Sequence, residues 1–435
     1  MRVCIISEFF YPDNTGGTGS ALTQMARSLK DNYEDVELDI ITSRHLYREK
    51  GEALPSQEDW DGIHIFRLHT PFPRNKRFIM RLAANVAFST SAFAKLLLRK
   101  RYDVVLVTTA PPPAPMAAQL YKALTHIPFV YLIYDLEPDR ALSLHILSRK
   151  SWIGHAVRKI QKRWMFGADR LVVIGRCMKD YLCNHYALPQ QNIDVAPVGF
   201  DPMTVVPTPF SKFKNQHGIK GFVALYSGNF GRYHNIDVIL DAAKEFKSSK
   251  TDVTFVMVGD GAQKNHIEER IKLENLTNVK LFPYVPQIEY SDLLAAADVC
   301  LVTLEQGMEG ICVPSKFYSI LSAGKPTIAM LSKMSEVAMV IHEGKCGLQV
   351  NPGNVKELVT SIHYLKDNPE LTEKMGSNAR HELVTKYTTD HTVSHIHQIL
   401  LECTLLHPIH RHAIVADRGT IEDKGALSSR GPDRK

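Results

Sequence analysis

Short apolar, β-branched runs recur along the first half of the chain, at Val3 to Ile6, Val36 to Thr42, Ile63 to Phe66, Val104 to Thr108, Phe129 to Ile133 and Leu171 to Ile174. Segments of helical period separate them. Runs that are apolar at every position belong to strands covered on both faces, and strands alternating with helices build a parallel sheet. Around Val195 to Pro209 the periodicity stops, and Pro197, Gly199, Pro202, Pro207 and Pro209 follow one another as in a linker. The alternation then restarts with Phe222 to Ser227, Val253 to Val258, Val279 to Phe282, Val299 to Thr303 and Thr327 to Met330. The pattern predicts an α/β protein of two doubly wound, Rossmann-like domains, residues 1–196 and 197–384. Their strands should point their carboxyl ends across a cleft, where such sheets bind ligands. The amphipathic stretch Pro369 to Glu402 is long enough for residues 385–403 to cross back to the first domain. Residues 404–435 are polar and glycine-containing, the composition of a flexible tail.

A chain of 435 residues exceeds what one hydrophobic core fills, in agreement with two domains. The longest apolar stretch, Val86 to Leu98, is interrupted by Ser89, Thr90, Ser91 and Lys95, too short a run to span a bilayer. The amino terminus runs into a strand pattern with no charged leader or cleavage site, so no export signal is expected. Seven cysteines, Cys4, Cys177, Cys183, Cys300, Cys312, Cys346 and Cys403, lack paired spacing, which suits a reducing compartment. A cytoplasmic protein is therefore expected. Six histidines, His391, His395, His397, His407, His410 and His412, have no carboxylate or cysteine beside them to complete a metal site, and read as surface residues.

Three loops carry candidate chemistry. Gly16 and Gly17 stand between the first strand and a helical period at Leu22, Met25, Ala26 and Leu29, where a backbone can approach an anion closely. Gly228-Asn229-Phe230-Gly231-Arg232 follows the first strand of the second domain, and a guanidinium there can pair with two phosphate oxygens, or stand solvated on the surface. Glu309-Gly310-Ile311-Cys312-Val313-Pro314-Ser315-Lys316 follows Val299 to Thr303 and opens a helix. Lys316 in a first helical turn opposes the helix dipole unless an anion sits there, which favours a diphosphate. Ser315 suits an N-cap or a phosphate contact.

Taken with Ala323-Gly324-Lys325-Pro326, Val258-Gly259-Asp260-Gly261 and Gly347-Leu348-Gln349-Val350, these loops resemble glycosyltransferase family 4. The likeness is greatest to the branch that builds bacterial exopolysaccharide and O-antigen repeats, and it runs in order over residues 1 to about 400. The resemblance implies a GT-B fold, a nucleoside-diphosphate sugar held mainly by the second domain, an acceptor held by the first, retention of configuration, and no metal. It places Gly16, Gly17, Gly228, Asn229, Arg232, Gly259, Gly310, Pro314, Ser315, Lys316 and Ser319 at the donor, with Arg232 and Lys316 stabilising the departing diphosphate. Tyr134-Asp135-Leu136-Glu137-Pro138 is similar to the branch's Asp-x-x-Pro turn, so Asp135 is a catalytic candidate facing the sugar or acceptor hydroxyl; a helix cap or an ion pair is its bland use. The chain departs from the family where two glutamates eight residues apart are usual: Ile311 and Ser319 occupy those positions. His234 stands where a lysine is common, with Arg232 as its substitute.

Two basic segments without acids, Arg74 to Arg101 and Arg149 to Arg163, mix cations with Phe88, Phe93, Trp152, Ile160 and Trp164. That mixture fits either the surface of an anionic membrane or ordinary solvated helix faces. Both lie in the acceptor domain, which points to a lipid-linked or saccharide acceptor and to peripheral attachment at the inner face of the cell membrane. No nucleic-acid-binding module accompanies the charge, so nucleic acid is not an expected partner. Two alternatives stay open: an epimerase of the same architecture, for which no acid/base pair can be placed, and a non-catalytic subunit, suggested by the missing glutamates. The fingerprint of a dinucleotide-dependent dehydrogenase is absent.

Overall fold

The computed structural model describes residues 1–12, 17–45, 54–69, 78–144 and 152–405. Gly16, Arg74, Lys76, Arg77, Arg149, Lys150 and residues 406–435, with His407, His410 and His412, lie outside the described residues.

The first sheet holds β1 (Arg2–Ile6), β2 (Glu37–Ser43), β3 (Gln57–Trp60), β4 (Ile63–Leu68), β5 (Val104–Thr108), β6 (Phe129–Ile133), β7 (Arg170–Val173) and β8 (Ile193–Val195) in the order β3-β4-β2-β1-β5-β6-β7-β8. Only β3 runs antiparallel, against β4. The second sheet holds β9 (Phe222–Ser227), β10 (Val253–Val258), β11 (Val279–Phe282), β12 (Val299–Thr303), β13 (Thr327–Met330) and β14 (Gly347–Val350), all parallel, in the order β11-β10-β9-β12-β13-β14. The eleven strand segments read from the sequence lie within a residue or two of the observed ones. β3, β8 and β14 escaped that reading: β3 is polar, β8 has three residues, and β14 is buried only at Val350.

Helices α1 (Gly17–Asn32), α2 (Phe78–Leu97), α3 (Ala114–Thr125), α4 (Asp139–Ser143), α5 (Trp152–Gly167) and α6 (Arg176–Tyr186) belong to the first unit. The second unit carries α7 (Lys212–Gln216), α8 (Asp237–Ser248), α9 (Lys264–Leu273), α10 (Tyr290–Ala295), α11 (Lys316–Ser322), α12 (Glu336–Gly344), α13 (Val355–Asp367) and α14 (Pro369–Lys386). The last helix, α15 (Thr389–Leu405), packs against α1, β5 and β6. Ser28 and Asn32 of α1 both donate to Asp390 of α15, at 2.8 and 3.0 Å. Every residue of β5, β6 and β12 is buried, as strands covered on both faces must be. Along β9 the side chains divide by period two. Val223 and Leu225 join a core continuous with the first domain, while Ala224 and Tyr226 face a separate cluster built with α8 and α13.

Candidate active site

Both sheets reverse their strand order beside their first strand: β1 lies between β2 and β5, and β9 between β10 and β12. Loops leaving β1, β9 and β12 therefore open at the crevice outside the carboxyl ends of the strands. These are the three loops singled out by their glycines, and the fold turns two of them on each other. A Cβ on Gly17 would stand 3.1 Å from the Ser315 hydroxyl, so the start of α1 and the start of α11 meet across the domains. Ser315 makes no side-chain cap bond to its own helix.

Beneath this contact Lys316 runs under the β9 loop. Gly228 has φ +131°, a conformation that favours glycine, and a Cβ there would lie 2.9 Å from the Lys316 Nζ, which marks how closely the lysine passes under the loop. The ammonium lies 3.7 Å from the centre of the Tyr226 ring, is buried, and has no hydrogen-bond partner among the described residues. Burial pushes its pKa down to about 7. Behind it, the buried His234 ring donates from Nδ1 to the Thr303 carbonyl at 2.8 Å. Burial first, then the neighbouring Lys316, lowers that imidazole to about 3 and keeps it neutral.

The other predicted donor residues divide around this point. Gly259 stacks on the Gly228 carbonyl, and the Asn229 carbonyl accepts from Tyr226 Oη at 2.9 Å. Pro314 is buried and Arg232 is exposed on its loop. Ser319, one turn past Lys316, bonds to Tyr290 Oη at 3.2 Å and to the Lys316 carbonyl at 2.7 Å. Gly310 meets Tyr181 and the Cys177 carbonyl of α6, at the domain boundary. Ile311, standing where a glutamate is usual, is 1% exposed and packs in the core.

Asp135 reaches the same crevice from the first domain. It forms a β-bridge with Cys312, and the Leu136 amide donates to the Ile311 carbonyl at 2.9 Å, so backbone fastens this turn to the β12 loop. Arg140 pairs with Asp135 at 2.9 Å and with Glu137 at 2.5 Å, and Tyr233 of the β9 loop approaches it from the other domain. Burial raises both carboxyls above their usual values, and Arg140 draws them back. Sequence reasoning missed Arg140, Tyr226 and Tyr233, and noted His234 only as a replacement. The signal for Arg140 was present as a cation five residues beyond Asp135 in one short turn.

Residues 208–382 match the family model described as glycosyl transferases group 1, and residues 16–199 match that of a glycosyl transferase 4-like domain. The probable glycosyltransferase WbjE of Pseudomonas aeruginosa is 30% identical over 298 residues, 67% of this chain and 74% of that one. The chain belongs to the group 1 glycosyltransferases. WcaI of Escherichia coli K12, assigned to colanic acid biosynthesis as a glycosyl transferase, is 22% identical to this glycosyltransferase over 381 residues, 83% of this chain and 91% of its own. Anabaena HepE, solved in complex with UDP-glucose, superposes with a TM-score of 0.68 at 16% identity, covering 92% of this glycosyltransferase and all of HepE, which shows the shared GT-B fold.

Proposed function

We propose that this glycosyltransferase moves a sugar from a nucleoside-diphosphate donor to a lipid-linked or saccharide acceptor, with retention of configuration, in the synthesis of a cell-surface polysaccharide or glycolipid. The observation that carries the reading is Lys316: a buried ammonium without a hydrogen-bond partner or counter-ion among the described residues, packed under the β9 loop at Gly228. Such a charge is costly until an anion arrives, and a diphosphate supplies one. In the reaction the bond from the sugar C1 to the diphosphate oxygen breaks and a bond from C1 to the acceptor oxygen forms. Negative charge collects on the leaving diphosphate, where Lys316 and Arg232 receive it. The proton of the acceptor hydroxyl passes to the Asp135 carboxylate, which the first domain brings to the crevice beside Cys312.

Cations in this role need no metal, so turnover should persist in excess EDTA. Loss of activity with the chelator and recovery with magnesium would overturn that part. A thermal-shift panel of UDP, GDP, ADP and dTDP sugars tests the donor, since a bound donor stabilises by mass action. No stabilisation by any of them would sink the reading. The anomeric configuration of the product, read by NMR, tests retention.

We also propose attachment to an anionic membrane at the inner face of the cell. No described helix is long and apolar enough to cross a membrane, so attachment would be through surface helices. Helices α2, α3 and α5 pack side by side and contain no Asp or Glu. They expose Trp152 (79%), Ile160 and Phe166 on α5, Leu124 on α3 and Leu97 on α2, with Leu98 (82%) just beyond it. Exposed Lys159, Lys162 and Arg163 accompany them. Arg158, counted with this basic run in the sequence, turns inward to Asp139.

A further inference from the structure

Asp139 is the first residue of α4, follows Pro138, and is 3% exposed. A buried carboxylate is costly unless its oxygens are bonded, and three donors from two helices converge on it. Tyr181 Oη of α6 donates at 2.8 Å, Tyr186 Oη donates to the other oxygen, and Arg158 of α5 lies 3.3 Å away with its guanidinium on the Tyr186 ring. The next residue, Arg140, points the opposite way, into the Asp135 and Glu137 carboxylates. Tyr181 also presses on Gly310 of the β12 loop.

A five-residue helix has too few internal bonds to fix its own orientation. Its only buried side chains are Asp139 and Leu142. Leu142 supplies the apolar part of its anchorage, and the Asp139 carboxylate, beside Arg140, supplies the polar part. We infer that Asp139 is a positioning residue for glycosyl transfer, anchoring α4 to α5 and α6 so that Arg140 is held on Asp135 and Glu137 in the crevice. This rests on the proposed function, in which Asp135 serves the acceptor side.

The charged and titratable groups around the Asp135 carboxyl are Glu137 and Arg140 on its own turn and Cys312 on the β12 loop, with Tyr233 of the β9 loop facing Arg140. Of these only Arg140 is a cation. With the Asp139 carboxylate replaced, Arg140 loses its fixed direction, and burial, less opposed, raises the two carboxyls further. The acid limb of the rate profile must then move to higher pH.

The test is Asp139→Asn, which keeps the shape and removes the charge. With UDP-glucose as the first donor tried, kcat should fall, by up to about 100-fold for a displacement near 1 Å. The acid limb should shift upward, and the affinity for UDP should fall far less than kcat. Hydrogen exchange at the Leu136 amide, bonded to Ile311, should quicken by more than at core amides such as those of β5, which report any general fall in stability. A wild-type pH profile with a wild-type kcat, or unchanged exchange across residues 135–142, overturns the inference. If the wild type transfers no sugar from any donor, the proposed function fails instead, and the exchange measurement still decides whether Asp139 orders this turn.

Discussion

Lys316 shows how one residue converts burial into ligand chemistry. An amine whose pKa lies near 7 in the empty protein is largely neutral at pH 8, yet it must be charged to hold a diphosphate. Binding above pH 7 therefore takes up a proton, while binding at pH 6 takes up almost none. Its pKa is depressed in the free protein and restored by the anion, so affinity falls as pH rises through 7. Calorimetry of UDP binding in two buffers of different ionisation enthalpy should find uptake approaching one proton at pH 8. Equal heats in both buffers would show that the ammonium is already charged and paired. Replacing Lys316 by Ala should weaken binding by roughly 1.5 to 3 kcal/mol, the range for a charge-assisted bond. Arg232 is exposed and screened, so Arg232→Ala should cost no more than about 1 kcal/mol. A larger loss at Arg232 than at Lys316 would reverse their assigned roles.

At the level of elements, what the sequence displayed depended on how completely each element is buried. β5, β6 and β12 could be read residue for residue because both of their faces are covered and every position is buried, apolar but for the closing Thr108 and Thr303. β3, with the sequence QEDW, could not, because an exposed edge strand needs no such pattern and pairs through its backbone with β4. The glycine loops were legible for a local reason too: the positive φ of Gly228 favours glycine. The partners of those loops were not, since nothing local announces that Ser315 will meet Gly17 or that Ile311 will accept a bond from Leu136. The basic helices mark the middle case. Their acid-free composition could be read directly, but the sequence could not tell that Arg158 faces Asp139 while Lys159, Lys162 and Arg163 face solvent. Changing those three to Gln should weaken co-sedimentation with anionic vesicles by about 3 kcal/mol, at about 1 kcal/mol for each basic residue. Trp152→Ala should weaken it further, and salt should weaken it in the wild type. Sedimentation indifferent to lipid charge would make α2, α3 and α5 ordinary solvated faces.

Across the whole molecule, the two domains meet in a closed arrangement whose fastenings fall on either side of the β12 loop. On one side are the Asp135–Cys312 bridge and the bond from Leu136 to Ile311. On the other is Glu336, at the start of α12 and 3% exposed, which accepts from the Arg176 amide at 2.5 Å and from its Nε at 3.0 Å. Gly175 gives α6 no side-chain cap, so a carboxylate from the second domain satisfies an amide at the helix start. Arg176 also pairs with Glu343 at 2.6 Å. The groups bonded to the Glu336 carboxylate come from Arg176 of the first domain, so opening the crevice would strip them away, and Arg176 is placed to contribute to closure. Arg176→Ala removes both guanidinium pairs and leaves a buried charge bonded to one amide, a loss that opening relieves by returning Glu336 to water. The variant should keep the wild-type Tm for each domain, while small-angle scattering should show a larger radius of gyration in the free protein. UDP should restore the wild-type radius, because binding to the closed form shifts the population toward it. The affinity for UDP should fall by the fraction no longer closed. A free variant with the wild-type radius and the wild-type affinity would mean that the bridge through Ile311 and Cys312 closes the molecule without Arg176.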